Sequence, residues 1–280
     1  MSSQNEDNGK YEFYATIIKN IKNFSQMLKA IHFQDNAVFY CTRYGVKVTV
    51  EDLKCVQANA FINAELFDEY ELSKCDEDEI IKFKVNLSVI LECLSIFGTS
   101  AGSVTTLKMT YQGTGFPLEI LIEEDGIITN CTVKTMSPDL LLDFNFGRTN
   151  VPNKIILHSD AMKDIMHDLD MTSEIVKIFI SPNAPYFRLT TLGDAGESQT
   201  DIPKDCGIVD SFQCNSVVQY SYKIIHIKPS IKPLGISNKV SIRINDRGFL
   251  CFQYMIKIDE NHVSFVEYYC TPVVDDEDEL

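Results

Sequence analysis

The stretch "KNIKNFSQMLKAI", residues 19–31, holds three lysines and no acid. The chain around it carries 40 Asp and Glu against 25 Lys and Arg, a net charge of −15. At helical spacing Phe24, Met27, Leu28 and Ile31 fall at i, i+3, i+4 and i+7 and make one apolar face. Lys19, Lys22, Gln26 and Lys29 run down another. Two readings fit: the solvated side of a surface helix, or a face built to meet phosphate. One helix does not choose between them.

Outward from this helix, most segments alternate like strands. "GVKVTVED" places Val46, Val48 and Val50 on one side. "LEILIEEDGIITNCTV" and "KVSIRINDRGFLCFQYMIKI" read as hairpins turning at Asp125-Gly126 and Arg247-Gly248. Helical spacing is confined to about four stretches: 20–31, 87–97, 160–170 and roughly 222–232. The second puts Ile90, Cys93, Leu94 and Phe97 on one face; the third does the same with Met162, Ile165, Met166 and Leu169. The order of the pieces repeats. A strand leads to a helix, then to strands, a second helix and turn-punctuated strands, and the series begins again 137 residues on, as from Leu87 to Ile224. The expected organisation is a first domain over 1–134, a connecting segment 135–153, a second domain over 154–273 and an acidic tail 274–280. Leu140 to Leu142, Phe144 and Phe146 in the connecting segment either pack down on a sheet or help form a pocket for partner peptides.

Composition narrows the class. With 280 residues and 45% apolar content the chain can bury a substantial core. No apolar run is long enough to span a bilayer, so no membrane contact is expected. The polar start "MSSQNEDNGK" carries no apolar signal core, which reads as an intracellular protein. Nine cysteines, no CxxC and five dispersed histidines indicate neither a disulfide framework nor a zinc site, and no cofactor is implied. The acids concentrate in "FDEYELSKCDEDE" (67–79) and "DDEDEL" (275–280), read as solvated loop and tail.

A duplicated strand–helix–strands–helix–strands unit with lysines on its helices resembles the PCNA-like sliding clamps. The segments "LKAIHF", "GVKVTVEDLKCVQANAFI", "CLSIFG", "TNVPNKIIL", "LDMTSE", "PYFRLTTLGDAG", "KVSIRINDRGFL" and "FVEYYCTP" make the likeness narrower. Together, over about Tyr11 to Pro272, they resemble the Rad-one subunits of the heterotrimeric nine-one-one DNA-damage checkpoint clamp. That resemblance implies an α+β fold of two similar domains, sheets outside and helices lining a central hole for double-stranded DNA. It implies a nuclear protein, two different clamp subunits as neighbours, a clamp loader, and repair and checkpoint proteins as clients.

On this reading the DNA-facing residues are Lys19, Lys22 and Lys29 of the first helix, Lys163 of the third, and Lys223, Lys228 and Lys232 around the fourth. Lys82 and Lys84 precede the second helix, which has no basic residue and carries Glu92. The third sets Asp160, Asp164 and Asp168 beside its lysine, and Pro229 is expected to make the fourth short or irregular. A few lysines facing phosphates give weak, salt-dependent, sequence-independent attraction, while encirclement supplies retention.

Three functions compete at this stage. A scaffold clamp tethers repair and checkpoint proteins to damaged DNA and leaves ATP chemistry to its loader, since the chain has no GxxxxGK[ST]. A 3′→5′ exonuclease, an activity ascribed to the family, needs carboxylates converging from separate elements. Here Asp68, Glu69, Glu71 and Asp76 to Glu79 crowd one acidic loop, so the chain is expected not to be an enzyme. A PCNA-like homotrimer is the third. The scaffold is the expectation. Ring closure is assigned, by position in the clamps, to two edge strands. "GIITNCTVK" (126–134) offers Ile127, Ile128, Thr129, Asn130, Cys131, Thr132 and Val133. "AGESQTDIP" (195–203) offers Glu197, Ser198, Gln199, Thr200 and Asp201. The first is β-rich and nearly uncharged, the second polar, and the mismatch favours different neighbours over self-assembly.

Overall fold

Val46, Val48 and Val50 are buried together on one side of their strand, as a period of two requires. The computed structural model describes residues 11–73, 80–96, 104–138, 140–144, 146, 151–194 and 196–274. In chain order the first half runs β1 (Phe13–Ile17), α1 (Ile21–Ile31), β2 (Asn36–Thr42), β3 (Gly45–Asp52), β4 (Val56–Asn63) and β5 (Glu69–Leu72). It continues with β6 (Ile81–Asn86), α2 (Leu87–Ser95), β7 (Thr105–Tyr111), β8 (Leu118–Glu124), β9 (Ile127–Val133) and β10 (Thr135–Met136). The second half runs β11 (Asn153–His158), α3 (Ser159–His167), β12 (Ile175–Ile180), β13 (Phe187–Gly193), β14 (Gly196–Ile202) and β15 (Val209–Cys214). It ends with β16 (Val218–Lys223), α4 (Ile224–Ile227), β17 (Lys239–Ile244), β18 (Leu250–Lys257) and β19 (Val263–Cys270).

Two compact units result. The first takes in Met1–Val50, Asn59–Leu141 and Ile258–Ser264; the second takes in Glu51–Ala58, Leu142–Lys257 and Phe265–Leu280. The duplication is visible in the hydrogen-bond pattern. Antiparallel β1 lies between β5 and β7, and β2 between β3 and β6. In the second unit β11 lies between β15 and β17, and β12 between β13 and β16. The fold is α+β, strand-rich with few helices, as the alternation predicts.

The first helix is held by the apolar stripe that its spacing marks. In the first unit Phe24, Met27, Leu28 and Ile31 of α1 are buried, and rings of Phe39, Phe83 and Tyr111 pack from three strands. Asp125 and Gly126 both take positive φ, 52° and 81°, between β8 and β9. That is the turn in which Asp-Gly matches the twist of a two-residue hairpin. The second hairpin turns through Asn245, whose buried side chain accepts from the N–H of Arg247 at 3.0 Å and of Phe249 at 2.8 Å.

Three details differ from expectation, and the irregular fourth helix agrees with it. Lys19 and Asn20 precede α1, with Asn20 at the N-cap. α3 stops at His167, so buried Leu169 lies beyond it. The fourth helix is one α turn followed by a 3-10 run over Lys228–Gly235, because Pro229 and Pro233 withhold the N–H groups an α-helix needs. The acidic stretch is an ordered edge strand from Glu69 to Leu72, paired to β1; Asp76 to Glu79 lie outside the described residues, as do Phe97 and the tail from 275.

Candidate functional site

The basic face of α1 begins with a helix start that its own chemistry does not favour. The Asn20 side chain makes no capping bond to the helix and donates instead to Leu66 O at 3.3 Å. The first turn contains no acid and exposes Lys22, although the positive end of the helix dipole prefers carboxylates there. Lys29, seven residues on and therefore on nearly the same face, is exposed in the last turn, where a cation suits the dipole. Lys19 is exposed just ahead of the cap. The helix thus presents Lys22 and Lys29 from regular backbone and Lys19 from the chain leading in.

The other helical elements are less basic. α2 is capped by Asn86, whose side chain accepts from Val89 N at 3.0 Å, and it presents Glu92 and no cation. On α3, Lys163 is half-buried among exposed Asp164 and Asp168, with exposed His167 one turn on. Lys223 ends β16, while Lys228 and Lys232 are exposed on the 3-10 run. That run is pinned by the buried hydroxyl of Tyr254, which donates to Ser230 O at 2.6 Å. Partial burial holds the His226 imidazole below its ordinary pKa, with adjacent Lys223 adding to the effect, so this segment's charge at neutral pH comes from its lysines.

Both strands assigned to ring closure lie at sheet edges. β9 ends the order β5-β1-β7-β8-β9, and β14 ends the order β14-β13-β12-β16. Along β9 the residues alternate: Thr129, Cys131 and Val133 turn toward the core while Ile128, Asn130 and Thr132 face out. Ile127 and Ile128 are 62% and 61% exposed, unusual for adjacent isoleucines. The Cys131 thiol meets Cys93 of α2, whose own thiol is pushed up to about 12, chiefly by burial. On β14, Glu197, Ser198 and Gln199 are exposed and Thr200 half-exposed. Asp201 is already engaged: Arg188 of β13 donates to it through Nε at 2.6 Å and Nη2 at 2.8 Å. Arg188 was not singled out from sequence, because thirteen residues and a turn of unknown register separate it from Asp201.

Of the apolar residues in the connecting segment, Leu142, Phe144 and Phe146 pack down, while Leu140 is 95% exposed. Phe144 stacks on Tyr269 at 5.2 Å and meets Phe249 edge-on at 5.5 Å. Phe146 lies against Tyr269, with the Arg243 guanidinium over its ring at 5.3 Å. Leu142 N donates to Glu51 Oε2 at 2.8 Å, and Gln57 Nε2 donates to Leu142 O at 2.9 Å. Among the described residues, no group of three or more His, Cys, Asp and Glu side chains is arranged to hold a metal ion, and no helix is long and apolar enough to cross a membrane.

Residues 12–256 match the family model described as repair protein Rad1/Rec1/Rad17. The chain belongs to the Rad1 family. Among its relatives is the human cell cycle checkpoint protein RAD1, 49% identical over 271 residues that cover 96% of this chain and 94% of that protein. The proliferating cellular nuclear antigen of Entamoeba histolytica, a solved structure, aligns with a TM-score of 0.75 over 94% of this chain and all of its own, at 16% identity. This Rad1-family chain therefore has the sliding-clamp fold.

One expectation is overturned. The DNA repair exonuclease REC1 of Mycosarcoma maydis is 25% identical over 191 residues, 56% of this chain and 41% of that protein. A Rad1-family relative thus bears an exonuclease name, and the expectation that the chain is no enzyme is withdrawn. The loop reading is corrected for two of these acids: Asp68 accepts from Ile18 N at 2.6 Å, and Glu69 on β5 accepts from Tyr14 Oη at 2.8 Å and Thr16 Oγ1 at 3.3 Å, so both are held by hydrogen bonds.

Proposed function

We propose that this Rad1-family chain is one of three different subunits of a ring that encircles DNA at damage sites and holds checkpoint and repair proteins there. The pair of open edges, β9 and β14, carries the reading. In the duplicated topology β4 occupies the place of β14, and β19 the place of β9. β4 and β19 are neighbours in one sheet, and Asn63 Nδ2 donates to Val263 O at 3.2 Å and Thr271 N to Cys55 O at 2.9 Å. The counterparts β9 and β14 each pair on one side only among the described residues. Joining β9 of one subunit to the β14-type strand of the next satisfies both edges and closes a ring.

Lys19, Lys22 and Lys29 supply the principal phosphate-facing stripe, with Lys163, Lys223, Lys228 and Lys232 contributing around the bore. Contacts of this kind attract without arresting, so the ring slides and topology keeps it on the duplex. A separate loader opens it, the site of action is the nucleus, and the two neighbours are the other checkpoint-clamp subunits. Native mass spectrometry of the chain alone and mixed with candidate subunits tests the assembly. The expected result is a monomer alone and a one-to-one-to-one trimer in the mixture; a stable homotrimer of this chain at micromolar concentration overturns it.

A further inference from the structure

Two thiols on different elements of the first unit face each other. Cys93 belongs to the stripe of Leu87, Ile90, Leu91 and Cys93 that α2 buries. Cys131 stands on β9 directly opposite Ile120 of β8, and Ile120 is fully buried. Residues opposite each other across a ladder share a face, so the Cys131 side chain is carried inward with Ile120. α2 packs on β9, and the Cys93 and Cys131 thiols are hydrogen-bonded to each other. Both are free cysteines. No CxxC spacing marks them as a pair; the packing of a helix on an edge strand does.

The two are unequal. Cys93 is 7% exposed, and burial keeps its thiol protonated and unreactive. Cys131 is half-buried on a strand that ends its sheet, so a small oxidant reaches it first. Hydrogen peroxide transfers one oxygen to the Cys131 sulfur, giving a sulfenic acid and water. The Cys93 sulfur, already in contact, then attacks the Cys131 sulfur. The S–O bond breaks, the hydroxide leaves with the Cys93 proton as a second water, and an S–S bond remains. The pair of thiols is oxidised by two electrons and the peroxide is reduced. A thiol reductant reverses the step by exchange. Burial of Cys93 does not prevent it, because the resolving sulfur needs access to its partner and not to solvent. The backbones of α2 and β9 approach within 8 Å. A disulfide spans Cα separations of about 4.4–6.8 Å, so closure asks for a small shift of the edge strand.

We propose that Cys93 and Cys131 form a reversible modification site, closed to a disulfide by peroxide-class oxidants, which fastens the edge strand β9 to α2. Pairing of β9 with a further strand uses its backbone and leaves the inward thiols in place, so the proposal does not depend on ring assembly.

The test treats the reduced full-length chain with hydrogen peroxide, alkylates the remaining thiols and maps peptides by mass spectrometry without reductant. A linked Cys93–Cys131 peptide is expected ahead of other intramolecular links, lighter than its parts by the pair of hydrogens removed and lost on adding dithiothreitol. Amide exchange along Ile127–Val133 should slow about tenfold on oxidation and recover on reduction. Cys93→Ser should leave the Cys131 sulfenic acid unresolved, so that its capture by dimedone rises about fivefold. Cys131→Ser should leave Cys93 unmodified. Cys206→Ser, at a half-buried cysteine of the second unit, should form the link as the parent does. Unchanged dimedone capture in Cys93→Ser, no linked peptide at a peroxide dose that oxidises Cys206, or equal exchange along β9 before and after linkage would each overturn the proposal.

Discussion

Arg188 and Asp201 stand directly opposite each other on β13 and β14, joined by a two-pronged hydrogen bond of 2.6 and 2.8 Å. A bidentate guanidinium–carboxylate pair fixes register as well as distance. It therefore holds the edge strand proposed for ring closure in one alignment, and it removes the Asp201 charge from competition for an incoming strand.

Arg188→Gln is expected to leave the fold intact, accelerate amide exchange along β14, and weaken one subunit interface while sparing the other. The Arg188 hydrogen bond holds the Asp201 carboxyl below the ordinary carboxylate pKa. A depressed folded pKa stabilises above the unfolded pKa and is lost as pH falls through the folded one. The β14 protection should therefore fade on acidification below about pH 4 and be insensitive to pH in Arg188→Gln. Hydrogen exchange across a pH series checks both statements; unchanged exchange in the variant refutes the locking role.

Lys19→Glu, Lys22→Glu and Lys29→Glu together should not disturb folding, since all three are exposed and the buried stripe of α1 is untouched. Retention of the assembled ring on DNA should fall, and the slope of log affinity against log salt should flatten by about 2 to 3. An unchanged slope means that the stripe is only solvated surface.

Tyr254→Phe removes the donor to Ser230 O and strands that carbonyl in the core. A cost of about 1–3 kcal/mol is expected, read as a lower denaturant midpoint at unchanged slope. Exchange should quicken first across Lys228–Gly235, the segment the hydroxyl pins. A shift confined to other regions would remove Tyr254 from that role.

Phe144→Ala should cost about 3 kcal/mol if the ring's contacts with Tyr269 and Phe249 anchor the connecting segment. Limited proteolysis near residues 140–146 should become faster in the same variant. A cost below about 1 kcal/mol would show that the segment rests on its hydrogen bonds to Glu51 and Gln57 and not on its aromatic packing.

Much of this protein was legible in one dimension because its signals are local. The period of two in "GVKVTVED", the i, i+3, i+4, i+7 stripe at Phe24 to Ile31 and the Asp125-Gly126 turn each depend on residues a few positions apart. Local conformational preference therefore sets them before any long-range contact forms. The duplication followed from the order of such signals, and the acid-free face of α1 from their spacing. Even so, the helix start excluded Lys19, because the N-cap is decided by where Asn20 finds a partner, and it finds Leu66 O from 46 residues away.

What only the tertiary structure decided depends on register between distant strands. Asp201 looked like a free charge until β13 set Arg188 opposite it. Asp68 and Glu69 read as loop acids until Ile18 and β1 gave them donors. Tyr40, Lys47 and Lys82 are scattered in sequence, and they form a row only because β2 lies between β3 and β6 in that alignment. A one-residue slip would send each side chain to the opposite face. Burial across the whole unit specifies register, no short window contains that burial, and so the sites that charge and pairing create had to wait for the folded chain.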